Sequence, residues 1–233
     1  MIQALDRRLI VPVLVALVLG LVVLSVVAGA GDDPASLWSK RGLIVLAVNG
    51  LILLLSIRPV FRVFHFITGA RFWWFPWLDG EWQAEIRSNW PRVERMFEAA
   101  RRGERFDALH DAVPADAPGA VTKARVTIRS SLLTMSVVLK PVGSSRVSKT
   151  IFVRPSWCKP SDPVLTYVYE QFDPKFVAAT DAKRHLGASQ LSYDEETDTL
   201  TGEYWTQRRG EQGFNTAGTI ILRREKKRAQ SRR

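Results

Sequence analysis

The residue types that most often perform catalysis are sparse in this chain and far apart. The three histidines, His65, His110 and His185, are widely separated, and no His-Glu-x-x-His, Gly-x-Ser-x-Gly or Walker A pattern occurs. The acidic run at residues 194–198 lacks the spacing of a Ca²⁺-binding loop and is typical of a turn between strands. We therefore expect no enzymatic activity, no metal site and no cofactor.

The cysteine content and the distribution of charge restrict the possible partners. Cys158 is the single cysteine, so no intrachain disulfide forms, in agreement with a reducing compartment. The net charge is +10, yet residues 78–222 hold 19 basic and 19 acidic side chains, and the excess lies in residues 1–77 and 223–233. Basic flanks around a neutral middle fit anionic lipid headgroups better than a nucleic-acid backbone. We expect no DNA or RNA partner.

Two uncharged apolar runs predict a membrane anchor. Residues 9–30 form a run of 22, about 33 Å as a helix, which matches a hydrocarbon core of about 30 Å. Residues 42–57 form a run of 16, about 24 Å, so a span needs either Leu37 and Trp38 at one end or snorkelling of Arg58 and Arg62 at the other. Basic residues near the spans favour both termini in the cytoplasm. Three tryptophans mark the following interface: Trp73, Trp74 and Trp77.

Three residues inside these runs favour association between helices. Asn49 is the strongly polar side chain at depth, and its amide needs a partner in another helix, in a pore or within its own hairpin. Ala16 and Gly20 have the small-xxx-small spacing that lets helices approach closely. We expect all three to take part in oligomerisation, with packing inside one hairpin as the alternative.

After Leu78 the pattern changes to short strands. Trp82, Ala84 and Ile86 alternate with charged residues at a period of two, which is typical of a half-buried strand. Seven further stretches have strand character: 121–130, 132–140, 147–154, 164–171, 186–193, 200–207 and 216–224. Between the first two strands, apolar residues at helical spacing predict an amphipathic helix over 91–111, broken near Gly103.

The predicted fold is therefore a membrane-anchored all-β protein. It has two N-terminal transmembrane helices in residues 1–77, an eight-stranded antiparallel β-barrel with a helical insert in residues 78–225, and a basic tail in residues 226–233. The interior of a barrel of about eight strands holds side chains or one small ligand. We expect the barrel to be a cytoplasmic ligand-binding domain.

Short motifs in this order resemble a known family. They are Leu-Asp-Gly-Glu-Trp (78–82), Ser88-Asn89, Leu-Thr-Tyr-Val-Tyr (165–169), His-Leu-Gly (185–187), Leu-Thr-Gly-Glu-Tyr-Trp-Thr (200–206) and Thr-Ala-Gly-Thr-Ile (216–220). After two spans, this series is similar to the two-transmembrane, β-strand-rich effectors of bacterial CBASS anti-phage systems. The resemblance implies an inner-membrane protein whose barrel binds a cyclic dinucleotide, and whose helices then oligomerise and disrupt the membrane.

Such a ligand needs planes for its bases and donors for its phosphates. Residues of suitable type for these contacts are Arg209, Thr216, Arg208, Asn215, Thr206, Tyr167, Trp82, Arg129 and Arg146. Four of them, Arg208, Arg209, Asn215 and Thr216, are favoured because they lie on or beside a loop at one mouth of the barrel. Further planes and donors come from Tyr169, Tyr204, Trp205, Arg87, Ser144 and Ser145. Packing in the barrel core is the alternative role for Trp82, since large aromatic side chains commonly fill small barrels.

Two other functions remain open from the residues alone. A membrane-tethered, lipocalin-like barrel that binds a lipid or another apolar metabolite predicts a pocket lined by aliphatic side chains, without converging Arg or Thr. A scaffold for another protein predicts a solid barrel. The helical insert is either a variation within the family or an element that covers one mouth of the barrel.

Overall fold

The computed structural model describes Gly20, residues 41–173 and residues 182–225, and of residues 41–44, 73 and 210 it describes the backbone only. These residues divide into two compact units, one with residues 41–77 and 130–135, the other with residues 78–129, 136–173 and 182–225. The predicted first span, Ala16 and the basic tail lie outside the described residues.

The first unit contains three helices. They are α1 (Arg41–Ser56), α2 (Arg58–Ile67) and α3 (Ala70–Trp73). The apolar run at 42–57 is thus helical, and Pro59 stands in the first turn of α2, where its missing N–H costs nothing. Within the described part of the chain no single helix is long and apolar enough to cross a membrane, although Val45–Ser56 and Arg58–Ile67 together pass that test as a pair bent by 97°.

The second unit contains a closed barrel of eight antiparallel strands in sequence order. The strands are β1 (Gly80–Ser88), β2 (Val121–Ser130), β3 (Met135–Pro141), β4 (Val147–Ser156), β5 (Val164–Phe172), β6 (Arg184–Asp194), β7 (Thr199–Gln207) and β8 (Thr216–Arg224). Closure comes from β1 pairing with β8, from Trp82 opposite Arg224 to Ser88 opposite Gly218. The predicted barrel is confirmed.

The period-two pattern places alternate side chains inside the barrel. On β6, for example, His185, Gly187, Ser189, Leu191 and Tyr193 are buried, and the residues between them are half-buried or exposed. Gly187 makes room for a neighbour, because a Cβ at this position would stand 2.4 Å from Cζ of Tyr169 on β5. The glycine of the His-Leu-Gly motif therefore lets a tyrosine ring lie against the β6 backbone.

The helical insert follows β1 as α4 (Trp90–Arg102). Gly103 ends the helix with φ 67°, and Arg101 and Arg102 lie in its last turn, where cations favour the helix dipole. The predicted continuation of this helix to residue 111 is wrong, because residues 103–120 form turns and loops. Strand β3 also begins later than predicted, since Ser131 and Thr134 close a turn in which the Ser131 N–H donates to the Thr134 carbonyl at 2.7 Å.

A dry plug fills one half of the barrel, where β1 begins. Its fully buried side chains are Trp82, Val126, Ile128, Leu165, Leu191, Leu200 and Leu222. The Trp82 N–H donates to the Leu78 carbonyl at 3.0 Å, and the Arg224 guanidinium lies 4.2 Å from the centre of the Trp82 ring. Arg224 is held in turn by Asp198, with Nε 2.7 Å from a carboxylate oxygen. Burial of this apolar surface stabilises the barrel.

Candidate functional site

The other half of the barrel contains a cavity of about 830 Å³. It lies where β1, β3, β5 and β7 end, and it reaches the surface, because the exposed turn residues Gly143 and Ser144 line it. Its volume falls within the range of about 300–1,000 Å³ that is usual for small-molecule sites. The barrel is therefore solid at one end and hollow at the other.

The lining of the cavity differs from that of the plug. Hydroxyl and amide groups come from Ser88, Thr122, Ser144, Ser145, Ser148, Gln171 and Thr206. Aromatic rings come from Trp90, Tyr167, Tyr169 and Tyr204, and charged groups from Glu94, Arg146, Asp173 and Arg208. One wall is aliphatic, formed by Ile86, Val137, Leu139, Pro141, Val142 and Ile220. The site thus combines flat apolar surfaces with hydrogen-bond donors and two cations.

A network of charged and hydroxyl groups lies at the turn between β3 and β4. The Asp173 carboxylate accepts from the Ser145 hydroxyl at 2.8 Å and from Nε of Arg146 at 3.2 Å. The Ser144 hydroxyl accepts the Arg146 N–H at 3.1 Å, which fixes the turn. This turn therefore presents a guanidinium and a hydroxyl to an acidic group, as an anion-binding site does.

The second arginine of the cavity lies at the end of β7. Arg208 continues the inward alternation after Thr206, and its guanidinium carbon lies 5.8 Å from the centre of the Trp90 ring. Its positive charge partly offsets the effect of burial on the pKa values of Tyr169 and Tyr204. The loop that follows packs on α4, because the rings of Phe97 and Phe214 are 4.5 Å apart. Trp90 and Glu94 of α4 thus become part of the cavity.

The tyrosines are held in their neutral form. Burial raises the pKa of Tyr167 to about 12, while a hydrogen bond with Ser189 opposes the rise. Burial is also the main cause of the raised pKa values of Tyr169 and Tyr204. The rings of Tyr167 and Tyr169 lie 6.0 Å apart on the same face of β5. At neutral pH these residues present phenol donors and aromatic planes without adding negative charge.

The structure distributes the nine predicted ligand contacts between different places. Tyr167, Arg146, Arg208 and Thr206 line the cavity. Thr216 is buried beside it, with its hydroxyl oxygen 2.6 Å from that of Thr206. The remaining residues do not line the cavity: Trp82 lies in the plug, Arg129 is exposed near Glu81, and Arg209 and Asn215 are exposed on the loop between β7 and β8.

Several cavity residues were missed by sequence reasoning. Ser148, Gln171 and Thr122 line the cavity from three strands, and Trp90 and Glu94 line it from α4. A signal for Gln171 was present, since it follows Tyr167 and Tyr169 at a period of two on β5. No group of His, Cys, Asp or Glu suited to a metal ion occurs among the residues that the structure describes.

Comparison with known proteins identifies the barrel. A family model described as Cap15, cyclic dinucleotide receptor domain, matches residues 115–224. Residues 115–224 are thus similar to a cyclic dinucleotide receptor domain. The resemblance to CBASS effectors is therefore confirmed for the barrel, from β2 to β8. The receptor-domain match begins after β1 and α4, so the cavity residues on those elements lie before it. No curated protein matches the chain.

The raised tyrosine pKa values predict how the barrel responds to alkali. All four tyrosines have raised pKa values, including Tyr193, whose pKa burial and Asp198 raise to about 12. An unfolded tyrosine ionises near pH 10. The contribution of the four tyrosines to the free energy of unfolding is therefore fully present below about pH 10 and is lost as the pH rises towards about 12. Tyrosinate absorbance should therefore appear together with unfolding. Chain in denaturant is the control, and gradual ionisation near pH 10 in a still-folded barrel would contradict the described burial.

Proposed function

We propose that this chain is a membrane-bound receptor for a cyclic dinucleotide, acting as an effector of an anti-phage system without an enzymatic step. The ligand binds in the cavity of the barrel. The main support is that one cavity of about 830 Å³ is lined by Arg146, Arg208, hydroxyl groups and aromatic rings. The match of residues 115–224 to a cyclic dinucleotide receptor domain supports the same ligand class.

The two phosphates of the ligand require charged donors at separate points. Arg146 with Ser145 supplies one such point at the β3–β4 turn, and Arg208 supplies the other at the end of β7. Hydrogen bonds between a guanidinium and a phosphate are among the stronger ones in proteins, since both partners are charged. Thr206 and Ser148 add neutral donors within the barrel. We infer that these residues hold the phosphate ring.

The bases require flat apolar surfaces. Trp90, Tyr169 and Tyr204 offer aromatic faces, and the aliphatic wall offers a second surface against which a base packs. Stacking of a base on an aromatic ring contributes about 1–3 kcal/mol in single-stranded nucleic-acid complexes. Amide and hydroxyl groups such as Gln171 then distinguish one base edge from another.

A lipid or other apolar metabolite fits the cavity less well. That alternative predicts an aliphatic pocket without converging Arg or Thr, whereas four charged side chains and Thr122 and Thr206 line this one. An apolar ligand would displace water from these charged and hydroxyl groups without offering them a hydrogen bond, which disfavours its binding. A protein scaffold with a solid barrel leaves the cavity without a role.

We propose that the apolar helices carry out the response to ligand binding. The apolar runs at 9–30 and 42–57 anchor the chain in the bacterial inner membrane, and ligand binding favours an oligomeric state that disrupts the bilayer. Each 1.4 kcal/mol by which the ligand prefers that state shifts the equilibrium about tenfold. Asn49 is exposed on α1 among the described residues, which supports a contact of its amide with another chain.

Adjacent arginines on the β7–β8 loop test the position of the site. Arg208→Gln should weaken binding of the tightest cyclic dinucleotide by roughly tenfold or more, because a charge-assisted hydrogen bond contributes about 1.5–3 kcal/mol. Arg209→Gln is the matched control, since Arg209 is exposed and its Nη1 reaches Gln212 at 3.4 Å. Calorimetric titration of the full chain in detergent measures both. A loss for Arg209→Gln with none for Arg208→Gln would place the site on the exposed loop instead of in the cavity.

The acidic partner of Arg146 gives a second prediction. Asp173 occupies the Ser145 hydroxyl and the Arg146 guanidinium, so its carboxylate competes with a phosphate for the same donors. Asp173→Asn should therefore bind the nucleotide more tightly, by about tenfold if one charged contact of about 1.4 kcal/mol is relieved. Glu203→Gln, at an exposed position of β7, controls for the change in net charge. Weaker binding by Asp173→Asn would mean that Asp173 orients Arg146 for the ligand.

A further inference from the structure

The second helix of the first unit, α2, has an apolar face that is exposed in the part of the chain that the structure describes. Val63 is 57% exposed, Phe66 49% and Ile67 80%, and Phe72, just beyond the helix, is 55% exposed. At 100° per residue, Val63, Phe66 and Ile67 share one side of α2. Large apolar side chains grouped in this way on a short helix indicate a surface that meets an apolar environment.

The opposite side of α2 packs on its own unit. Phe61 and His65 are buried there, the His65 and Trp77 rings lie 5.1 Å apart, and Nε2 of His65 is 2.8 Å from the Phe75 carbonyl oxygen. Phe61 also meets Trp74 edge to face, with ring centres 5.6 Å apart. This aromatic cluster fixes which side of α2 points away from the rest of the unit. Packing of Phe61 and His65 therefore determines that Val63, Phe66 and Ile67 are exposed.

The charges around this face are of one sign. Arg62 lies beside the apolar face of α2, Arg58 is exposed in the first turn of the helix, and Arg71 follows in α3. The guanidinium of Arg71 lies 4.4 Å from the centre of the Phe72 ring. Residues 34–78 contain no Asp or Glu. An apolar face bordered by arginines and free of acidic groups is complementary to a bilayer surface with anionic headgroups.

The angle between α1 and α2 suggests how the two helices meet a bilayer. Val45–Ser56 and Arg58–Ile67 are bent by 97° across Ile57. A helix that enters the hydrocarbon along the membrane normal and a helix that lies in the headgroup plane stand at about a right angle. Leu46, Leu53 and Leu54 are exposed on α1, as lipid contact requires. A second half of one spanning helix would instead continue near the direction of the first.

We propose that α2 lies flat in the membrane interface and is not part of a transmembrane span. Val63, Phe66 and Ile67 enter the boundary between headgroups and acyl chains, while Arg58, Arg62 and Arg71 contact anionic headgroups. Interfacial helices of this kind insert by about 5–10 Å. The chain beyond α1 then leaves the bilayer sideways, along its surface.

Depth-dependent fluorescence quenching tests this orientation on the full chain. Cys158 is exposed and is the single cysteine, so the variant Cys158→Ser has no thiol. In this background one fluorophore is attached to a new cysteine, either at Val63→Cys or at Ile67→Cys. Leu46→Cys on α1 is the reference position deep in the bilayer. Each labelled chain is reconstituted in vesicles of phosphatidylethanolamine with a minority of phosphatidylglycerol. Nitroxides are placed on the lipids either near the headgroup or near the end of the acyl chain.

The expected result is that the labels at 63 and 67 are quenched equally and mainly by the shallow nitroxide, while the label at 46 is quenched mainly by the deep one. In a continued span, positions 63 and 67 would differ in depth by about 6 Å, which overturns the inference. Absence of lipid quenching at both positions overturns it as well, and cross-linking between chains there would assign the face to a second copy. Loss of quenching at 46 alone would instead contradict the anchor.

Discussion

Closure of the sheet is the constraint on which the rest of the structure depends. Pairing of β1 with β8 leaves no free edge among the eight described strands and fixes an interior that side chains can almost fill. The residues that point inward then decide what remains empty. Large side chains such as Trp82 and Leu165 fill one half, whereas serine, threonine and glycine at the other half leave a cavity. A rigid plug and a hollow site therefore result from one alternating pattern.

The strands could be predicted because period two and turn residues are local signals. The position of a side chain along the barrel axis cannot be predicted from its neighbours in the sequence, because it depends on the register between strands. Trp82 and Tyr167 both point inward, yet Trp82 lies opposite Val126 and Arg224 in the plug, while Tyr167 lies beside the cavity. For the same reason Thr216 and Thr206, which are far apart in the sequence of the β7–β8 hairpin, meet at 2.6 Å.

Two adjacent arginines also show that the sequence predicts a strand better than it predicts which side chains line the cavity. Arg208 and Arg209 are neighbours at the end of β7, and composition cannot separate them. Alternation beyond Thr206 turns Arg208 into the cavity, and Arg209 enters the exposed loop. Likewise, the run at 42–57 indicates an apolar helix, but hydropathy does not describe the 97° bend that follows it, where Ile57 has an extended backbone and Pro59 stands in the first turn of α2.

Ligand-dependent stability of the full chain in detergent shows whether the hollow half of the barrel is a nucleotide site. Thermal unfolding should be measured with a panel of cyclic dinucleotides and, in parallel, with fatty acids of several lengths. A nucleotide at about 100 times its dissociation constant should stabilise the folded barrel by about 2.7 kcal/mol, and fatty acids should leave it unchanged. Stabilisation by a fatty acid, with no response to any cyclic dinucleotide, would contradict the account.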